Sequence, residues 1–133
     1  MIPLAKQKKQ LENRITELEK QEKIEIVRNT DIISLNSGYS FVTGSYPIFK
    51  QGKHYWGYIL IKKDSGTFTR TQEKVGSFKI PILGVGNTFC SLSSNEWKSQ
   101  SIGYFYFNLD ITISDENNNG YNTAKAYIDV VTK

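Results

Sequence analysis

Asp115-Glu116-Asn117-Asn118-Asn119-Gly120 is the segment whose residue types come closest to a chemical motif. It reads D-x-N-x-N-G, the first half of an EF-hand calcium loop. The bidentate carboxylate that would complete such a loop falls at position 126, which is Ala126. The flanks are strand-like, so the segment reads first as a hairpin turn, because Asn and Gly tolerate positive φ. Carboxylate pairs for glycoside hydrolysis would have to come from Asp31, Asp64, Glu73, Glu96, Asp110, Asp115, Glu116 and Asp129. Most of these fall in turns or at outward strand positions, with no recognisable pair spacing. Cys90 is the only cysteine, so no disulfide forms within the chain. A thiol nucleophile would need His54, the only histidine, and no motif joins the two. Cys90 reads as a small buried filler in a strand-like run from Asn87 to Leu92. Gly84-Val85-Gly86-Asn87 opens no helix and so cradles no phosphate. The expectation is a protein that binds and does not catalyse, with no metal and no cofactor.

The aromatics are the richer population, with seven Phe, eight Tyr and two Trp. Tyr104 and Tyr106 alternate against an apolar set, with Asn108 and Asp110 following on the same face. Saccharide sites use these residue types: sugar faces stack on flat rings, and hydroxyls bond to amides and carboxylates. Trp56, Tyr58, Trp97, Tyr104, Tyr106 and Asn108 are therefore the candidate binding residues. Amphipathic aromatics are equally at home in a subunit interface or a partly exposed core, and both alternatives stay open.

The elements that must position these residues begin with a heptad seam. Leu4, Leu11 and Leu18 recur every seven residues, and Ile15 lies four after Leu11. With Met1, Lys8, Ile15 and Glu22 at a, the leucines fall at d. Arg14 is then at g and Glu19 at e. Arg14-Ile15-Thr16-Glu17-Leu18-Glu19 resembles the Arg-apolar-x-x-apolar-Glu motif of short trimeric coiled coils. In a three-stranded coil the Arg stem covers the seam, and its guanidinium bonds the e-position Glu of a neighbouring chain. A trimer interface of Leu4, Leu11, Arg14, Ile15, Leu18 and Glu19 is expected. A dimer and a lone helix packed on its own head are the alternatives. Three heptads are marginal alone, and Lys8 and Glu22 weaken the seam, so the head must supply further contacts.

From about Ile24 the period changes to two. Gly, Asn and Ser clusters punctuate the chain at strand spacing, as in a sandwich or barrel. His54 to Lys62 places Tyr55, Gly57, Ile59 and Ile61 on one face and Trp56, Tyr58, Leu60 and Lys62 on the other. Both faces are partly apolar, so both should be covered. Gly103 to Ile113 reads as one strand with Phe105, Phe107, Leu109, Ile111 and Ile113 inward. Ala124, Ala126, Ile128 and Val130 should face inward from a last strand. Asn117 to Gly120 should join two paired strands, and Lys79 to Gly84 should be a strand ending at a proline. The fold class is mainly β: a short trimeric coiled-coil helix (residues 1–25), then an antiparallel β-sandwich or jelly-roll-like head (residues 26–133).

The 133 residues suffice for one such domain and a stalk. The polar start and a register beginning almost at Met1 suggest the C-terminal part of a longer protein. No apolar run is long enough to span a bilayer, so no membrane insertion is expected. Net charge is +4, and the head's basic residues, among them Lys50, Lys53, Lys62, Lys63, Arg70, Lys74 and Lys79, are scattered. A nucleic-acid footprint is denser, so no nucleic-acid partner is expected.

Phe49-Lys50-Gln51-Gly52-Lys53-His54-Tyr55-Trp56-Gly57-Tyr58-Ile59, then Val75-Gly76-Ser77-Phe78-Lys79-Ile80-Pro81 and the ending Ile128-Asp129-Val130-Val131, resemble head domains of phage tail-fibre and baseplate proteins from phages of Gram-positive bacteria. The resemblance covers about residues 40–131, and Ser77-Phe78-Lys79-Ile80 lengthens one gap in its pattern. It implies a homotrimer on a helical stalk, exposed on the virion. Its partner would be a host cell-wall saccharide or another baseplate or fibre protein. It carries no fixed site motif. A trimeric jelly-roll head of the complement and tumour-necrosis-factor type is the second fold, and a polysaccharide-degrading tail tip is the second function.

Overall fold

The computed structural model describes residues 2–42, 46–94 and 100–133. Helix α1 spans Leu4–Glu22. Its composition of Leu, Ala, Lys, Gln and Glu favours helix throughout. Pro3 starts it, its carbonyl accepting from the amides of Lys6 and Gln7, both at 3.1 Å. Lys23 is extended and ends it, because the alternating β-branched run that follows prefers strand. Leu4, Leu11, Ile15 and Leu18 are 82%, 59%, 53% and 53% exposed, so the seam is not packed on its own head. Among the described residues no helix is long and apolar enough to cross a membrane.

The protein is mainly β. Strands β1 (Ile24–Val27), β2 (Ile33–Leu35), β3 (Tyr39–Phe41), β4 (Ile48–Gln51), β5 (His54–Lys63), β6 (Glu73–Phe78), β7 (Gly86–Ser93), β8 (Gln100–Phe107), β9 (Asp110–Ser114) and β10 (Thr123–Val131) form one antiparallel sheet. The order is β1-β4-β5-β10-β7-β8-β9-β6-β2, with β3 also on β5. The two ends of that order, β1 and β2, are nearly consecutive in the chain. Arg28 and the four-residue helix α2 (Asn29–Ile32) join them. One helical turn is only ~6 Å long, so the sheet must curl until its edges approach. Asp31 ties this turn, accepting from the Arg28 amide at 3.2 Å and the Arg28 guanidinium at 3.3 Å. Those bonds, the side-chain one first, hold the Asp31 carboxyl below its usual value.

The curl puts the core on one face. Ile32, Ile33, Ile48, Ile59, Ile61, Phe105, Ile111, Ile113 and Ile128 share one buried cluster although they come from both ends of the strand order. Each such side chain contributes about 1.5–3 kcal/mol. In β10, Ala124, Ala126, Ile128 and Val130 all point inward as alternation requires. Gly57 lies in mid-strand at φ 145°, where a Cβ would come within 2.8 Å of the Pro47 carbonyl. Only glycine lets β4 enter so close to β5.

Four expectations from the sequence are corrected. Gly103 to Ile113 is not one strand. Phe107 pairs with Ile111 across a turn, making β8 and β9 a hairpin. Three residues separate the paired Phe107 and Ile111, which preserves parity, so Phe105, Phe107, Ile111 and Ile113 all stay buried while Leu109, at the turn, is 56% exposed. Asn117 to Gly120 joins no hairpin, since β9 pairs with β6 and β8 while β10 pairs with β5 and β7. Lys79 to Gly84 forms no strand and makes only an isolated bridge at Ile82 to Thr132. The second face of β5 is covered only in part, with Leu60 buried and Tyr58 44% exposed.

The hairpin yields a contrast between neighbours. Phe107 packs edge-on against Phe78 at 5.6 Å between ring centroids. Phe107→Ala should cost about 3–5 kcal/mol, whereas Leu109→Ala should change stability by no more than about 0.5 kcal/mol. Denaturant unfolding of both variants checks this, and comparable losses would contradict a turn at Leu109.

Candidate functional site

Inward alternation fixes what faces outward. Strand β5 presents Trp56 and Tyr58, and β10 presents Lys125, Tyr127 and Asp129. Asn87, Phe89 and Ser91 project from β7, and Ile102, Tyr104 and Tyr106 from β8. The ladder aligns them. Tyr58 is opposite Tyr127, Lys125 is opposite Ser91, Phe89 is opposite Tyr104, and Ser91 is opposite Ile102. The result is an aromatic surface on the side of the sheet away from the core. Tyr58 and Tyr127 meet edge-on at 5.2 Å, and Phe89 and Tyr104 lie 5.4 Å apart. Tyr46, arriving from the β3–β4 connection, adds a ring 5.8 Å from Tyr58. Such pairs stabilise the sheet without needing cover, since a phenol keeps its hydroxyl in water.

Two grooves flank Tyr127. One, of about 410 Å³, is lined by Tyr58, Phe89, Cys90, Ser91, Ile102, Lys125 and Tyr127. The other, of about 220 Å³, is lined by Gly86, Asn87, Thr88, Phe107, Tyr127 and Asp129. At the edge of the first, the Lys125 ammonium stands over the rings of Tyr58, which lines it, and Tyr46, which does not, at 4.7 and 4.5 Å. Beside the second, Asp129 meets His54 Nε2 at 2.5 Å, and His54 lies against Trp56 at 4.8 Å. Trp56 also stacks on Phe49 at 5.9 Å.

The structure brings Trp56, Tyr58, Tyr104 and Tyr106 onto this one face. Tyr58 and Tyr104 are exposed, and Trp56 and Tyr106 are half-buried. The placement of Asn108 on this strand face is corrected: it sits in the β8–β9 turn, where its side-chain oxygen accepts from the Asp110 amide at 2.7 Å. Trp97 lies outside the described residues. Sequence reasoning missed Tyr46, Asn87, Phe89, Lys125 and Tyr127. The inward set of β10 already implied that Lys125, Tyr127 and Asp129 face out, and Phe89 follows likewise from Cys90 and Leu92. Tyr46 carries no periodic signal.

The carboxylates are mostly engaged singly. Asp31 bonds Arg28, Asp64 accepts from the Ser40 hydroxyl at 2.7 Å, Glu73 pairs with Lys63 at 2.8 Å and Asp110 with Lys74 at 3.2 Å. Asp115 is buried and accepts the amides of Asn117 and Asn119, at 3.1 and 2.9 Å. The calcium-like hexapeptide thus spends its first carboxylate on its own backbone. Among the described residues no three His, Cys, Asp or Glu side chains group as a metal site. Glu96 lies outside the described residues.

No protein-family model, no curated protein and no solved structure matches this chain.

Cys90 is buried, and that burial pushes its thiol up from 9.0 to about 12. At pH 8 iodoacetamide should label the native protein far more slowly than the unfolded chain, because the thiolate is the nucleophile. The folded state holds this proton more tightly. The resulting stabilisation is complete below about pH 9 and is lost as pH rises toward 12. Rapid labelling without unfolding would show an open thiol.

Proposed function

We propose that this chain is a homotrimeric attachment protein of a phage tail fibre or baseplate. Its helix is the trimer axis and its jelly-roll-like head binds host cell-wall saccharide through the outer sheet face. One observation carries the reading: α1 leaves Leu4, Leu11, Ile15 and Leu18 more than half exposed. A helix of ~28 Å with an uncovered apolar seam is marginal in water and gains stability by packing on copies of itself. Arg14 and Glu19 make no ion pair within the chain among the described residues. That leaves both for the interchain bond of a three-stranded coil. Ile24 and Ile26, 54% and 72% exposed just beyond the helix, extend the apolar surface to the head and supply contacts that three heptads lack.

The outer face supports the binding half. It is aromatic, grooved and lined by hydroxyl, amide and carboxylate groups, the mixture that stacks and hydrogen-bonds a sugar. Open grooves of this kind hold one sugar weakly. Three heads on one stalk make the second and third contacts intramolecular and raise avidity about 10²–10⁴-fold. The head needs no catalytic group to attach a particle, and the reading is of a binding protein.

Light scattering should give the mass of three 15.2-kDa chains, and a mass of one or two would remove the trimer. Leu11→Asp places a charge in the seam at a site exposed within its own chain. It should yield folded monomers whose binding to a Gram-positive cell-wall preparation falls by about two orders of magnitude. Equal binding by monomer and trimer would remove the avidity. Release of reducing sugar from the preparation would make the protein a depolymerase. A trimer that ignores cell wall yet captures another tail protein would make it an adaptor.

A further inference from the structure

Lys125 gives the larger groove a charge preference. It projects from the middle of β10 among aromatic neighbours, is half-buried, and has no carboxylate within 4.0 Å among the described residues. Its neighbours are the ring faces of Tyr46 and Tyr58 and the Tyr46 hydroxyl, the last at a long 3.5 Å. An ammonium carries three donors, and that hydroxyl uses one. A lysine at the surface usually keeps its head in water. This one is drawn over two rings by their negative faces, which fixes its place and strips part of its hydration. An anion arriving there therefore displaces less water and meets a stronger field than at a free surface lysine. Asp129, four residues along the same strand, is occupied by His54 and serves the other groove.

We propose that the groove between Tyr58 and Ile102 takes an anionic sugar residue, one bearing a carboxylate or a phosphate. The anion bonds Lys125 Nζ, and the sugar ring lies against Tyr127. This rests on the saccharide reading above and adds its charge. The flat ring of Tyr127 beside the cation's groove favours a glycan over an acidic peptide, which has no comparable apolar face to stack. Across Tyr127, Asn87 and Asp129 present an amide and a carboxylate, which suit neutral hydroxyls and repel a second anion. The site thus fits an uncharged sugar followed by a charged one better than a chain charged at every residue.

The full-length protein is titrated, with binding read by NMR or calorimetry at low salt, against four probes. These are a galactose disaccharide, the same disaccharide with its terminal residue oxidised to the uronate, the same disaccharide phosphorylated at its terminal residue, and tetraglutamate. One hydrogen bond to a charged group implies roughly tenfold tighter binding of a charged disaccharide than of the neutral one. The uronate and phosphate arms tell the two anions apart. Raised salt should erode that ratio, Lys125→Gln should bring it to about one, and Lys125→Arg should keep most of it. Thermal unfolding of each variant confirms that it is folded. Equal binding of charged and neutral disaccharides by the parent protein would overturn the charge preference and leave the saccharide reading standing. Tetraglutamate binding as tightly as the charged sugars would overturn the sugar assignment. No binding of any probe, together with no binding to cell wall, would overturn the saccharide reading and this inference with it.

Discussion

The rest of the head depends on how short the link between the two edges of its sheet is. Strands β1 and β2 stand at opposite ends of a nine-strand path, yet only Arg28 and the single turn of α2 separate them in sequence. A flat sheet cannot satisfy that tether, because nine strands spaced about 4.8 Å apart would hold the edges several tens of ångströms away from each other. Curling brings them together and makes the concave side a closed interior. The Arg28–Asp31 bonds close the tie at its tightest point, and Ile32 and Ile33, immediately after it, are among the deepest residues of the core.

A curled sheet with one interior has one exterior, and that asymmetry explains the composition of the strands. The inward positions are mostly Ile, Phe, Leu, Val and Ala, joined by Tyr55 and Cys90. The outward positions are mostly Tyr, Trp, Lys, Asn, Asp and Ser, which hold cross-strand contacts while staying wet, with Phe89 and Ile102 as exposed apolar members. The outward aromatics therefore stabilise the sheet and remain available to a ligand, and neither role excludes the other. The aromatic residues among those described are divided between the two sides, with Phe68, Phe78, Phe105 and Phe107 buried and Tyr58, Phe89, Tyr104 and Tyr127 exposed.

Much of this was legible in the residues, and the remainder was hidden for physical reasons. Period-two alternation in β10 placed Ala124, Ala126, Ile128 and Val130 inside, and the heptad leucines marked a helix, read over residues 1–25, that ends at Glu22. The β8–β9 hairpin escaped because an odd number of residues separates the paired Phe107 and Ile111. Phe107 and Ile111 keep the same facing whether the chain continues or folds back, so alternation cannot see the turn. Asn117 to Gly120 looked like a hairpin because turn-forming residues report local backbone freedom. They carry no information about which distant strand each flank will join. Of the outer face, Trp56, Tyr58, Tyr104 and Tyr106 could be read from strand parity. Their arrangement around Tyr127 could not, since it depends on the register of β10 against β5 and β7, which lie far from it in sequence.

The passage from α1 to β1 has a mechanical meaning. Only Lys23 lies between the end of the helix and the first strand, so the joint has almost no slack. Any pull along α1 enters the sheet at an edge strand of four residues, held by a single neighbour, β4. Strand β10, which carries the middle of the outer face, is laced along its whole length to β5 and in part to β7. Tension would peel the rim before it disturbed the centre. A short edge pairing of four residues sits where a pull along the helix arrives, and the aromatic outer face sits where the ladder is longest.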